Sequence, residues 1–346
     1  MALAVCVIGS AATGCGKNSD DESLPRLRSA ETSDLADDSS SVRTKGTDPS
    51  RSGGLDPDVD VASPTTAEPE PDDTPLPPDD VRLLPDNATD LGAELSIAEL
   101  TIRDPEVPIE TKTAWGRRQQ FLYRVLAANP KWVQDAMAEI DPSVADAATR
   151  NYEARLALSD LVKTYTPGHE VPAWAIHSPK PPEELLGYYR EAAEVTGVPW
   201  ETLAAINLVE TRMGRIDGKS VAGAVGPMQF LPSTWEECCE GDPTLDRDAI
   251  RGAAEYLVDR GAPDDLDKAL KGYNRSSDYL IAITHYTNVL TENADAYYGY
   301  HAWDVYYLTA MGPVLLAEGY DRDDTMAVET WLESNPDALI DLTSPG

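Results

Sequence analysis

The chain is poor in basic residues, and this shortage excludes whole classes of partner. It contains 28 lysines and arginines against 61 aspartates and glutamates, which gives a net charge of −33. A protein that binds nucleic acid needs a basic stripe to neutralise phosphates, so no nucleic-acid partner is expected. Simple electrostatic docking on an anionic lipid surface is excluded for the same reason. The acidic excess instead favours a protein that is kept soluble by repulsion between its like charges.

Cysteine and histidine are also scarce, which argues against a metal centre. The four cysteines are Cys6, Cys15, Cys238 and Cys239, no two of them are spaced as CxxC, and the four histidines are scattered. A structural zinc site needs clustered ligands of these types, so no metal is expected, and nothing in the sequence indicates a cofactor. Neighbouring cysteines such as Cys238 and Cys239 rarely meet disulfide geometry without strain, and the sequence assigns this pair no role.

The first residues of the chain are apolar but too few to span a bilayer. Residues 1–12 resemble the hydrophobic core of a signal peptide, although no lysine or arginine precedes them. The tetrapeptide Ala-Thr-Gly-Cys that ends at Cys15 is similar to a bacterial lipobox, in which the cysteine is lipidated and becomes the mature N-terminus. The sequence therefore predicts a lipoprotein-type signal peptide over residues 1–15 and a lipid anchor on the outer face of the cell membrane.

Residues 16–90 contain mostly Ser, Thr, Asp, Glu and Pro, with almost no aromatic or long apolar side chain. Such a composition does not bury enough apolar surface to offset the entropy lost on ordering. A disordered acidic linker is therefore predicted, and its prolines and like charges should keep it extended. After a lipidated cysteine, such a linker would hold a folded head away from the membrane.

Helical periodicity predicts a helical module over residues 91–175. Three helices are predicted in it: one that runs through Trp115 and stops near Pro130, one from Trp132 to Ile140, and one from Ser143 to Tyr165. A proline-rich connection without helical or strand rhythm leads into a second domain over residues 176–320, and residues 321–346 form a C-terminal tail. Strand signals are weak throughout, so the expected fold class is all-α or nearly so.

A helix that begins near Pro199 carries the first candidate catalytic group. Four of its residues share one face at i, i+3, i+7 and i+10, namely Leu203, Ile206, Glu210 and Met213. The apolar members of this stripe must face the core, so the carboxyl group of Glu210 should be desolvated and its pKa raised above about 4.3. A general acid that works near neutral pH has this property. A glutamate turned to solvent, or paired with Arg212 or Arg215, fits the periodicity equally well.

Two later segments add polar groups suited to a sugar. Residues 220–235 place glycines around a short loop, which lets the backbone approach a ligand closely, and then present Met228 and Gln229. The amide of Gln229 both donates and accepts, as recognition of an N-acetyl or hydroxyl group requires. Tyr273 and Asn274 follow at the end of another predicted helix, and an aromatic side chain beside an amide is a natural sugar-binding pair. Each segment taken alone is weak evidence for a site.

Taken together, the three segments resemble the soluble lytic transglycosylases, and in particular secreted actinobacterial members. The family patterns appear here as Glu210-Thr211-Arg212-Met213-Gly214, as Gly223 to Trp235, and as Tyr273-Asn274. One departure is Thr211, which stands where the family has serine and keeps the hydroxyl group. The resemblance covers about 176–320 and implies a lysozyme-like, mainly helical catalytic domain.

The resemblance implies cleavage of peptidoglycan without water, at the β-1,4 bond between N-acetylmuramic acid and N-acetylglucosamine. Glu210 would protonate the leaving oxygen and then, as a base, take the proton of the C6 hydroxyl while a 1,6-anhydro ring closes. The residues expected to position the sugar or the glutamate are Thr211, Met228, Gln229, Tyr273 and Asn274. The protein would act as a monomer on glycan strands outside the membrane.

Two other functions remain open on the sequence. A lysozyme-like hydrolase would use the same glutamate with a second working carboxylate. Asp217 is close to Glu210 in sequence, but it lies in a loop beyond Gly214 and is expected to be solvated. A non-catalytic cell-wall-binding lipoprotein would be expected to have lost the glutamate, which this chain keeps.

Three aspartates in a later loop are candidate calcium ligands. Asp242, Asp246 and Asp248 lack the central glycine and the terminal glutamate of an EF-hand loop. The sequence therefore favours a simpler role, in which one of them caps the helix that starts near Arg247.

Overall fold

The computed structural model describes residues 75–343. The signal peptide, the lipidation of Cys15 and the linker as far as residue 74 lie outside the described residues, so they stay predictions. No helix within the described range combines the length and the apolar composition that crossing a bilayer requires.

Twelve α-helices lie within residues 75–343 and contain most of them, which confirms the mainly helical class. They are α1 Ala88–Arg103, α2 Ile109–Ala128, α3 Val133–Ala138, α4 Ala145–Lys163, α5 Pro182–Thr196, α6 Trp200–Thr211, α7 Pro232–Cys238, α8 Asp246–Val258, α9 Leu266–Tyr273, α10 Ser277–Glu292, α11 Ala296–His301 and α12 Val328–Ser334. The three helices predicted before residue 165 are confirmed as α2, α3 and α4. A further helix, α1, precedes them and begins where the side chain of Asn87 accepts from the backbone N–H of Asp90 at 3.0 Å.

Six short strands complete the fold of the described part of the chain. They are β1 Glu170–Val171, β2 Ala175–Ile176, β3 Ile216–Asp217, β4 Val305–Thr309, β5 Gly312–Leu316 and β6 Met326–Ala327. All three pairs are antiparallel: β1 with β6, β2 with β3, and β4 with β5. Two of these strands lie in the proline-rich connection, where no strand was predicted. Their partners are distant in sequence, so the local pattern held no signal for them.

The last part of the predicted linker is ordered against α2, which corrects the prediction of disorder up to residue 90. The indole of Trp115 donates to the backbone oxygen of Pro75 at 2.6 Å. The guanidinium of the buried Arg118 donates to the backbone oxygens of Val81, at 3.0 Å, and Leu83. A buried guanidinium must find acceptors, and this one takes them from the approaching chain.

Helix α6 is buried on every side rather than on one face. Every residue of the helix from Thr202 to Thr211 is buried, because α5, α8, α10 and α11 all contact it. A helix that is apolar nearly all round is typical of such a central position. The predicted stripe was therefore too narrow, although Glu210 is buried as its place on the stripe predicted.

The helices before residue 175 pack against those that follow it. Helix α4 lies along α10, and α2 contacts α11. The described residues belong to one compact unit. Its C-terminal part is also packed, since Trp331 of α12 and Ile340 are buried.

Candidate active site

The chain leaves α6 through a tight turn directly after Glu210. Arg212, Met213 and Gly214 have positive φ angles of 56°, 61° and 81°. Glycine adopts this conformation freely, whereas other residues are strained in it. A Cβ atom at Gly214 would also lie 2.8 Å from a carboxylate oxygen of Asp246. The turn therefore requires the last glycine of the Glu-x-x-x-Gly motif.

The carboxyl group of Glu210 is buried and has no charged partner among the described residues. Its side chain has no exposed surface, which confirms the predicted burial. The hydroxyl of Tyr279 donates to Oε1 at 2.9 Å, and Oε2 has no hydrogen-bond partner among the described residues. Burial raises the pKa of Glu210 to about 8, against the smaller opposing effect of the Tyr279 hydrogen bond. At neutral pH the carboxyl group is mostly protonated, as a general acid must be.

Arg212, within the motif, and Arg215, just after it, do not pair with Glu210. The guanidinium of Arg212 donates back to the backbone oxygen of Leu208. That of Arg215 donates to the backbone oxygen of His301 at 3.0 Å and lies 3.9 Å from the carboxylate of Glu318. Pairing with Arg212 or Arg215 was one of the alternatives for this glutamate, and the structure contradicts it.

Helix α6 holds the glycine-containing loop by two side chains on either side of Glu210 in sequence. The amide of Asn207 and the hydroxyl of Thr211 both donate to the backbone oxygen of Pro227, at 2.7 Å and 2.6 Å. The loop itself closes by a two-way backbone pair between Val225 and Phe230, at 2.9 Å and 3.0 Å. Thr211 therefore connects the motif to the loop, and a serine at this position would offer the same donor.

Gly226 allows this loop to pack closely against the following segment. Its φ angle is 73°, and a Cβ atom there would overlap the backbone oxygen of Pro243. The loop also contains Gln229, which has a positive φ of 53° and whose amide donates to the backbone oxygen of Gly226 at 3.0 Å. Both contacts fix the conformation of the loop on either side of Met228.

The second predicted segment closes on the same loop. The hydroxyl of Tyr273 donates to the backbone oxygen of Met228 at 2.7 Å, and the side chain of Asn274 accepts from the backbone N–H of Ser276 at 3.0 Å. The structure thus brings the predicted site residues together around α6. All of them are buried, namely Thr211, Met228, Gln229, Tyr273 and Asn274. Their contacts within the protein position the loop, and direct contact with a sugar stays a prediction.

Two residues of the site were missed by the sequence reasoning. Tyr279 belongs to α10 and meets Glu210 only because α10 packs on α6, so no local pattern links them. Asn207 gave a weak signal, since it is a polar residue one turn before Glu210 in an otherwise apolar stretch. Its side chain accepts from the hydroxyl of Tyr189 at 2.5 Å as well as donating to the loop.

A groove of about 720 Å³ runs beside this loop. Its walls are residues 168–174, residues 217–221, Val225, Gly226, Thr244, Tyr307, Asp323 and Thr325. Trp174 and Tyr307 meet edge to face with their ring centres 5.5 Å apart. Asp217 lines the groove and is exposed, as predicted, whereas Glu210 does not line it. The groove has the size of a ligand site and touches the loop of the motif at Gly226.

The aspartates of the possible calcium loop have other partners, and the predicted helix cap is wrong. Helix α8 begins at Asp246, and Leu245 precedes it without a side-chain cap. A side-chain oxygen of Asp248 instead accepts from the backbone N–H of Asp242 at 3.0 Å, and Asp242 accepts from that of Thr244 at 2.9 Å. These bonds fold the loop before α8 onto its first turn. Within residues 75–343, no group of three or more potential metal-binding side chains is found.

The neighbouring cysteines form a disulfide, although the strain expected for adjacent residues argued against one. Cys238 is the last residue of α7, and Cys239 follows it in an extended conformation. Both pack against the main core. The backbone thus changes from helical to extended between the two bonded cysteines.

Comparison with protein-family profiles, with curated proteins and with solved structures finds no match for this chain. The resemblance to lytic transglycosylases therefore depends on the motif residues themselves. What the site does must be inferred from its geometry and chemistry.

Proposed function

We propose that the protein is a peptidoglycan lytic transglycosylase with Glu210 as its only catalytic acid and base. The observation that carries this proposal is the fully buried carboxyl group of Glu210, with a pKa raised to about 8 and no charged partner within residues 75–343. Enzymes use such burial to keep a carboxylic acid protonated at neutral pH. The bond that this acid would cleave is proposed from the resemblance of the surrounding loop to the family motif.

The reaction needs one proton, which Glu210 gives and recovers. The acid protonates the glycosidic oxygen as the bond from C1 of the muramyl unit breaks, and the N-acetyl group of that unit stabilises the cationic C1. Tyr279 donates to the carboxylate that this step leaves behind. The carboxylate then removes the proton of the C6 hydroxyl while O6 bonds to C1. A 1,6-anhydro product forms, no water is consumed, and Glu210 is again protonated.

The surroundings of Glu210 favour this route over hydrolysis. A hydrolase needs a second carboxyl group within about 5–9.5 Å of the first, as nucleophile or as base for water. Burial raises the pKa of Glu210 and the Tyr279 hydrogen bond opposes that rise, and no carboxyl group of the described residues is hydrogen-bonded to Glu210. Asp217, the candidate from the sequence, lies exposed in the wall of the groove.

The groove beside the loop is where we place the glycan strand. It has a volume of about 720 Å³, is lined by the aromatic side chains of Trp174 and Tyr307, and reaches the loop at Gly226. Since Glu210 has no exposed surface, the side chains that cover it must move before a sugar oxygen reaches its carboxyl group. Hydrogen bonds of catalytic groups often reach their final geometry only with substrate bound. With the predicted lipid on Cys15, the enzyme would act as a monomer from the outer face of the membrane.

The experiment is digestion of purified peptidoglycan followed by mass spectrometry of the products. The unmodified protein should release fragments with 1,6-anhydromuramyl ends, and Glu210→Gln should lower the rate by at least about 10²–10⁴-fold. Glu201→Gln is the matched control, because it makes the same change in the first turn of the same helix. Reducing muramyl ends would indicate the hydrolase, and binding without any product would indicate the cell-wall-binding protein. Full activity of Glu210→Gln would show that another residue is the acid.

A further inference from the structure

Three arginines and one tyrosine from four helices come together in the core. Arg124 belongs to α2, Arg155 to α4 and Tyr286 to α10, while Arg212 is the first residue after α6. Helix α10 packs against both α4 and α6, and α2 packs against α4. The charges of all three arginines act on the phenol of Tyr286, so the four groups lie close enough to interact. We refer to them as the arginine cluster.

The arginine cluster has buried donors without acceptors. Arg124 is 6% exposed, Arg212 5% and Tyr286 not at all. The Nε groups of Arg124 and Arg155 and the hydroxyl of Tyr286 have no hydrogen-bond partner within residues 75–343. Arg212 donates to one backbone oxygen, that of Leu208. Buried polar groups are almost always hydrogen-bonded, so a cluster of unused donors indicates that an acceptor belongs there.

Other buried arginines of this protein have carboxylate partners. Arg118 pairs with Glu94 at 2.7 Å, and Arg103 pairs with Glu99. In contrast, no carboxylate of the described range lies within ion-pair distance of Arg124, Arg155 or Arg212. The arginine cluster therefore has no carboxylate partner among the described residues, and the one aromatic contact of its guanidinium groups there is that of Arg124, 4.0 Å from the ring centre of Tyr306.

The protein cannot remove this charge by titration. Burial, and next the charge of Arg155, lower the pKa of Arg124, which reflects the cost of holding the charge there. Burial likewise lowers the pKa of Arg212 to about 10, which leaves it protonated at neutral pH. A guanidinium keeps its proton in proteins. Burial raises the pKa of Tyr286 in spite of the three cations, so the phenol stays neutral and supplies no negative charge.

We propose that the arginine cluster binds a small inorganic anion of about the size of chloride. An anion accepts hydrogen bonds from guanidinium and hydroxyl donors and offsets the buried charge at the same time. A water molecule would need acceptors for its own two hydrogens, and the cluster consists almost entirely of donors. Burial of Arg124, Arg212 and Tyr286 favours a small ion over a substrate-sized carboxylate. This proposal is independent of the reaction assigned to Glu210.

The first test compares the thermal unfolding of the full-length protein in sodium halide and in sodium gluconate at equal ionic strength. Gluconate is too large for a site enclosed by helices. A bound halide should increase the folding equilibrium constant by the factor 1 + [halide]/Kd, so that Tm rises and then follows the logarithm of concentration. Because the protein carries a net charge of −33, halides do not accumulate on its surface unspecifically. Equal Tm values in the two salts would overturn the proposal.

The second test uses variants and a crystal. Arg155→Gln, which removes one cation at the least buried member of the cluster, should abolish or strongly weaken the halide dependence. Arg251→Gln, on an exposed arginine of α8 paired with Glu255, should keep it. If Arg155→Gln does not fold, a bromide-soaked crystal of the unmodified protein decides the question. An anomalous peak between the guanidinium groups is expected, and ordered water without such a peak would refute the anion.

Discussion

The buried carboxyl group of Glu210 should make the protein less stable at the pH where it works. The pKa of this group rises from 4.5, as in the unfolded chain, to about 8 in the folded protein. Below pH 4.5 both states hold the proton, and stability is unaffected. Between pH 4.5 and 8 only the folded state keeps it, so stability falls as pH rises through this window. Above pH 8 the loss is complete.

The size of the effect follows from the same values. At roughly 1.36 kcal/mol for each pKa unit, the loss reaches about 3 kcal/mol at pH 7 and about 5 kcal/mol above pH 8. Glu210→Gln removes the titration but keeps the shape and the capacity to accept from Tyr279. The variant should therefore be more stable than the unmodified protein near pH 8 and similar to it near pH 4.5, while it is inactive.

Urea unfolding at pH 5, 6, 7 and 8 measures this difference. Other buried acids such as Asp304 also have a raised pKa, mainly through burial, but their contribution cancels between two proteins that differ only at Glu210. Glu201→Gln serves as the control on the same helix and should show no such trend. A stability difference between Glu210→Gln and the unmodified protein that stays constant from pH 5 to 8 would refute the assignment of a buried, neutral carboxyl group. If Glu210→Gln is more stable near pH 8 and yet inactive, its loss of activity is not caused by unfolding.

Three further outcomes are expected. Tyr279→Phe removes the hydrogen bond that lowers the pKa of Glu210, so the alkaline limb of the kcat/KM profile should move up by about 1–2 pH units. This size corresponds to a charged hydrogen bond of roughly 1.5–3 kcal/mol. An unchanged pH profile would exclude this role of Tyr279. Gly226→Ala should destabilise the fold by about 3 kcal/mol or more in urea unfolding, because the new Cβ atom combines a positive φ with overlap of the next segment. Gly223→Ala is the control: this position also has a positive φ but open space around it, so the variant should cost about 1–2 kcal/mol. Cys15→Ala should release the protein from the membrane fraction into the medium, and unchanged membrane association would contradict the lipid anchor.

The helices could be predicted from the sequence because their signals are local. Apolar spacing and prolines located α2, α3 and α4, and the face of α6 that carries Glu210 follows from the helical repeat. The strands could not be predicted, since β1 and β2 consist of two residues each and find their partners far along the chain. The ordered segment before α1 was missed for a similar reason. Its backbone oxygens are held by the guanidinium of Arg118, which lies on α2 and is distant in sequence.

For the candidate site, the motif residues were all present in the sequence, but their roles depend on packing. The spacing of Glu210 left three environments open: buried, solvated or paired with an arginine. Its pKa of about 8 arises because α6 is covered by four other helices and because the guanidinium groups of Arg212 and Arg215 turn to backbone oxygens. A helical repeat decides which residues share a face, whereas desolvation depends on what covers that face. Composition and spacing therefore determined the helical class, and the motif resemblance was needed to select Glu210 as the candidate acid. Only the tertiary structure decided that this acid is neutral and that Tyr279 is its partner.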